Sequence, residues 1–81
     1  PTCELTDDDF REGTIDILDI LHKSGLAGSR SEARRNVEQG GVSVDGDAVN
    51  DVKAVFAKES LEGEGVVVKR GKKKFVKVIA K

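Results

Sequence analysis

Tryptophan, tyrosine and methionine are absent from this sequence, and cysteine, histidine and proline occur once each. A lone Cys3 has no partner for an internal disulfide and leaves no Cys/His cluster for a structural metal. Stability must then come from a hydrophobic core, and at 81 residues the chain is near the lower limit at which one core stands alone. No apolar run approaches the ~20 residues of a membrane-spanning helix, and no basic-then-apolar segment reads as a secretory signal. The expectation is a cytoplasmic setting with no membrane partner. Pro1, standing where an initiator methionine would, is expected to mean that the sequence starts inside a longer gene product or follows processing.

What is present is 37% hydrophobic and 36% charged residues, enough for a small folded module and too patterned for disorder. The formal net charge is only -1, but its distribution is uneven. Residues 1–19 carry seven acids against Arg11, and residues 40–65 carry six acids against Lys53 and Lys58. Residues 66–81 hold Lys69, Arg70, Lys72, Lys73, Lys74, Lys77 and Lys81 with no acid at all. A local field of that kind is what a phosphate backbone answers. The plainer alternative is a solvated edge, since lysines also protect exposed strands from pairing.

Residues 26–50 combine a capped basic helix, a double-glycine exit and a tight hairpin. Ser29 and Glu32 have the spacing of a capping box, with the serine accepting from the Glu32 amide and the glutamate reaching back to the cap. Arg30 and Arg34 then share one stripe of the helix, with Arg35 about 100° further round. Ala33 and Val37 form the buried side. Gly40 and Gly41 end the helix after Gln39, because glycine takes the left-handed conformation at little cost. Asp45-Gly46, between Val42-Ser43-Val44 and Asp47-Ala48-Val49, is a two-residue hairpin signal. Arg34 and Arg35 also have Glu38 within helical reach, a surface pairing worth ~0.5 kcal/mol or less.

Elsewhere, Thr6 followed by Asp7-Asp8-Asp9 reads as a short helix start, with Gly13 closing the turn. Three consecutive aspartates on a helix start diverge, so they are not read as a metal site. From Thr14, the residues Ile15, Ile17, Leu18, Ile20 and Leu21 wrap most of a helix that ends at Gly25. His22, at the edge of that apolar stripe, is read as structural. Ala54–Ala57 reads as a short strand, 61–65 as a loop, and 66–79 as a second hairpin rich in β-branched residues. The expected class is α+β: two packed helices, an αL motif, followed by a small antiparallel sheet of four or five strands. Residues 1–13 are expected to be a linker or short helical lead-in, and 14–81 the domain proper.

Aromatic scarcity narrows the recognition mode. Phe10, Phe56 and Phe75 are the only aromatics, and the latter two fall in strand-like apolar stretches. Splaying out single-stranded bases needs exposed stacking platforms, which leaves recognition of structured RNA by backbone charge and shape. No nucleophile–base pair or metal constellation marks a free-standing enzyme.

The run Leu-x-x-Ser-Gly-Leu-Ala-Gly-Ser-Arg-Ser-Glu-Ala-Arg-Arg-x-Val-x-Gln-Gly-Gly-Val-x-Val-x-Gly, over about Thr14–Asn50, resembles the S-four RNA-binding domain. The ending Val-Lys-Arg-Gly-Lys-Lys-Lys-Phe-Val-Lys-Val, residues 68–78, looks like the C-terminus of bacterial tyrosyl-tRNA synthetases. Two positions depart: Asn36, where the family more often has an apolar residue, and Asp45, where asparagine usually precedes the glycine. The resemblance implies a tRNA-binding appendage that clasps tRNA(Tyr) around its long variable arm and towards the anticodon stem. By position it implies RNA contacts from Ser29, Arg30, Ser31, Arg34, Arg35 and Gln39, and from Lys69, Arg70, Lys72, Lys73 and Lys74.

It also implies a tethered catalytic domain as partner. A single histidine forbids a His-x-Gly-His signature, and the absence of methionine forbids Lys-Met-Ser-Lys-Ser. ATP, magnesium and tyrosine would therefore belong to that other domain; these residues imply no catalysis, cofactor or metal of their own, and a monomer in isolation. The alternatives are an RNA-binding domain of another S-four superfamily protein acting on rRNA, or a protein-interaction module whose lysines meet an acidic partner.

Overall fold

A computed structural model describes residues 2–71 and 73–80. Helix α2 (Arg30–Glu38) starts at Ser29, whose hydroxyl accepts from the Glu32 amide at 3.1 Å. That satisfies one of the amides a helix start leaves unpaired. The Glu32 carboxylate reaches the Gly28 amide at 3.1 Å, one residue before the expected return bond to Ser29. At the other end Gly40 has φ 73°. Gly40 N–H donates to the Val37 carbonyl and Gly41 N–H to the Asn36 carbonyl, each at 3.0 Å, the bond pair of a Schellman ending.

Helix α1 (Ile17–Lys23) is shorter than its apolar pattern predicts. Thr14–Asp16 forms a strand, β2, and the Asp16 carboxylate caps the helix by accepting from the Asp19 amide at 2.7 Å. Gly25, at φ 82°, turns the chain so that Leu26 folds back into the core. The two helices pack against each other.

Beyond the helices, β3 (Val42–Val44) and β4 (Asp47–Ala48) form the hairpin expected at Asp45-Gly46. Both turn residues have positive φ, 51° and 88°, as a type I′ turn demands. Strands β6 (Val66–Arg70) and β7 (Lys74–Ala80) form the second hairpin, and β3 pairs antiparallel with β6. The valines of β3, β6 and β7 that face the helices close one core with Ile17, Ile20, Leu21, Ala33 and Val37.

The α+β class stands, but its parts differ from expectation in three places. The stretch 1–13 contributes β1 (Thr2–Leu5) and a single 3-10 turn at Asp7–Asp9. β1 runs parallel to β7, so the main sheet is mixed, in the order β1-β7-β6-β3-β4. Parallel pairing needs a long crossover, and nearly the whole domain lies between these two strands in the chain. Its inward residue Leu5 is 1% exposed, which holds the strand in register. Second, β5 (Val55–Ala57) leaves the main sheet and pairs antiparallel with β2. Third, the segment read as a loop begins inside a one-turn helix, α3 (Lys58–Leu61), whose Leu61 is fully buried.

Candidate nucleic-acid interface

Alternation along β6 separates two residues that the sequence places together. Val66, Val68 and Arg70 face the helices, whereas Val67 and Lys69 face the other way. Arg70 is half-buried: its Nη1 donates to the Leu26 carbonyl at 2.9 Å, and Nη2 lies 3.3 Å from Glu32 Oε1. Gly71 N–H donates to the Gly41 carbonyl at 2.7 Å. Together these bonds tie the β6–β7 turn to both ends of α2.

Between the turn and the second half of α2 runs a groove of about 500 Å³, lined by Asn36, Gln39, Gly41, Arg70, Lys73 and Lys74. Lys73 and Lys74 are exposed, as is Arg35, one helical turn before Gln39. The Asn36 side-chain amide nitrogen is buried and has no hydrogen-bond partner among the described residues. The wall offers ammonium and amide donors to one ligand, with the exposed Arg35 guanidinium one helical turn away on α2, a set suited to phosphate oxygens. Lys72 lies outside the described residues.

Arg30 is not brought into this groove. Its guanidinium pairs with Asp19 and, at 3.1 Å, with Asp16 at the start of α1, so the arginine joins the two helices. Arg34 lies one turn further along the same stripe and sits 3.8 Å from Glu38. Ser29 and Ser31 are exposed, and the Ser29 hydroxyl is engaged as the helix cap. Lys69 is exposed on the opposite face of the sheet. The sequence-derived cluster is therefore divided among the groove, the α1–α2 contact and the far side of the sheet.

These pairings make stability depend on acid pH. Burial pushes the Asp16 carboxyl up, but the Asp19 amide, the Arg30 hydrogen bond and the charges of Arg30 and Arg11 outweigh it and hold the group below the usual carboxylate value. Asp9 is also lowered, chiefly by its hydrogen bond from Lys23 and then by the Thr6 amide. A carboxylate depressed in the folded state contributes stability above its unfolded pKa of about 3.9 and loses it as pH falls through the folded value. Urea midpoints are expected to fall as pH drops below about 4. The combined Asp9→Asn, Asp16→Asn variant should lose less over that range, and parallel pH profiles would contradict the assignment.

Aromatic exposure is a further departure. Phe75, read as lying in an apolar strand stretch, is 50% exposed; alternation over the pattern of β7 was the signal that could have placed it outside. His22, at the edge of the apolar stripe of α1, is exposed. Among the described residues no group of three or more His, Cys, Asp or Glu is placed to hold a metal ion. No helix among them is long and apolar enough to cross a membrane.

Residues 1–78 match the family model described as the tyrosine–tRNA ligase SYY-like C-terminal domain. Tyrosine–tRNA ligase of Treponema denticola is 39% identical over 80 residues, which cover 98% of this chain and 20% of that protein. The ligase of that name from Chlorobium chlorochromatii is 43% identical over 68 residues, 84% of this chain and 16% of the relative. For Clostridium botulinum the identity is 34% over 79 residues, 98% of this chain and 19% of the ligase. The chain thus spans about a fifth of the length of the curated relatives it matches.

Proposed function

As the chain belongs to the tyrosine–tRNA ligase SYY-like C-terminal domain family, we propose that it is the tRNA-binding appendage of such a ligase, holding tRNA(Tyr) by backbone charge and shape around the variable arm and anticodon stem. The observation that carries this reading is the groove in which Gln39, Lys73 and Lys74 converge, with exposed Arg35 one helical turn before Gln39. Lysines and arginine on its rim neutralise phosphates of a duplex-like arm, and the amides of Gln39 and Asn36 add donors inside. Ser31 and Arg34 extend the contact along α2, and Lys72 is assigned to the same set of RNA contacts. Arg70 and Ser29 hold the groove's walls in place, while Arg30 acts through the α1–α2 contact. Amino-acid activation, with its ATP and magnesium, belongs to the remainder of such a ligase, in the cytoplasm.

The test is a comparison of tRNA(Tyr) with a version whose variable arm is cut back, each bound to the 81-residue chain at ~0.1 M salt. Loss of one phosphate contact is worth about tenfold under those conditions, so the intact tRNA should bind tighter by at least that factor. Equal binding would remove the variable arm from the reading and leave general RNA binding.

A further inference from the structure

On the face of the main sheet turned away from the helices, Val67, Lys69, Phe75 and Lys77 are exposed. The rows there follow from the register: Lys69 stands opposite Phe75 and Val67 opposite Lys77, with Ser43 on the other side of Lys69. Phe75 is 50% and Val67 37% exposed. Neither belongs to the core nor to the apolar residues packed on it. Directly paired residues on a sheet face have Cβ atoms about 5 Å apart, and same-face neighbours along a strand about 7 Å. The ring of Phe75 therefore has Lys69 across from it and Lys77 beyond it on its own strand.

Among the described residues the nearest carboxylates stand off from that ring, Glu4 coming one row from Lys77. Asp45, in the β3–β4 turn, accepts the Val67 amide at 2.9 Å, and Glu4 pairs with Ile79, two rows from Phe75. The apolar surface there is the Phe75 ring and Val67, with partly buried Ile79 two rows from the ring, too little for the uncharged centre of a protein interface, where lysine is depleted. One ring with a cation across from it and another along its own strand matches instead the repeat of a nucleotide, a flat base with a phosphate on each side.

We propose that this face is a second RNA contact, in which Phe75 stacks on an unpaired base while Lys69 and Lys77 hold the phosphates to either side. It rests on the RNA reading above and extends it from duplex shape to single-stranded nucleotides. Lys74 precedes Phe75 directly, so a strand with phosphates at the groove's rim passes the sheet's end to reach the ring. Base–aromatic stacking accepts any base, and the contact adds affinity without sequence choice.

Because the chain has no tryptophan, Phe75→Trp supplies a single indole at the site. Its emission is expected to be quenched saturably by a short unstructured oligouridylate. In a separate binding assay, Phe75→Ala should weaken the oligouridylate by roughly 5- to 150-fold, the range for one stacked base, with Phe75→Tyr restoring it. Affinity for a blunt RNA duplex should stay unchanged in all three variants. Oligouridylate affinity within twofold of the parent for Phe75→Ala overturns the proposal, as does an equal loss for the duplex. Quenching by an acidic peptide and not by RNA also overturns it, in favour of a protein partner. A parent chain that binds the duplex but not the oligouridylate removes this face while leaving the groove; one that binds neither removes both.

Discussion

The triple reversal Arg35→Glu, Lys73→Glu, Lys74→Glu is expected to weaken tRNA binding by at least about 100-fold at ~0.15 M salt. Each phosphate neutralised on a duplex contributes about 0.9 of a unit to the slope of log K against log salt, so three contacts amount to about two log units at that salt, before repulsion is added. The slope should flatten by about three units for the same reason. All three side chains are exposed, so thermal unfolding should move little and the loss can be assigned to binding. Arg30→Ala supplies the contrast: its guanidinium is engaged by Asp16 and Asp19, and it should cost less affinity than Arg35→Ala. Filter binding or anisotropy titrations at several salt concentrations measure both. A reversed variant that binds within twofold of the parent would eliminate the groove as the RNA site.

The second large effect is expected in the segment that reads as a loop. Leu61 is fully buried on α3 against β7, and Leu61→Ala should cost about 2–5 kcal/mol, the range for deleting a buried leucine side chain. A domain of this size loses roughly 4–8 °C of melting temperature per kcal/mol, so a fall of at least about 10 °C is expected. Gly65→Ala should be comparably severe. Gly65 has φ 72°, and a Cβ there would lie 2.3 Å from the Val78 carbonyl oxygen, a backbone atom that cannot turn aside. A Gly63→Ala control shares the positive φ but meets nothing within 4 Å among the described residues, and should lose only the backbone term of about 1 kcal/mol. Thermal melts followed by circular dichroism would test the order, and equal losses at Gly63 and Gly65 would contradict the close approach to β7.

How much was readable in advance depended on how far apart the interacting groups are in the chain. The ends of α2 were legible because Ser29, Glu32, Gly40 and Gly41 satisfy amides and carbonyls within a few residues of themselves. The Asp45-Gly46 turn was legible for the same reason, since two consecutive positive φ values leave few residue choices. The groove was half legible: sequence put basic residues on a helix and a hairpin, but not which of them would meet. Arg30 and Arg35 are alike as residues, and only the position of α1 gives the first to two aspartates and leaves the second in solvent.

By itself the sequence determined the α2 boundaries, both main hairpins, the segregation of charge into a basic final hairpin, and the resemblance that the family comparison then bore out. Those features follow from local hydrogen bonding, backbone strain and composition, which a short window contains. Only the tertiary structure decided that Thr2–Leu5 lies along β7, that β5 pairs with β2, and that Leu61 seals the core. It also decided that Lys69 and Phe75 face away from Arg70 and the groove. Each of these turns on which sheet edge or core surface the rest of the chain leaves uncovered, a quantity that is set when distant segments pack and has no counterpart in neighbouring residues.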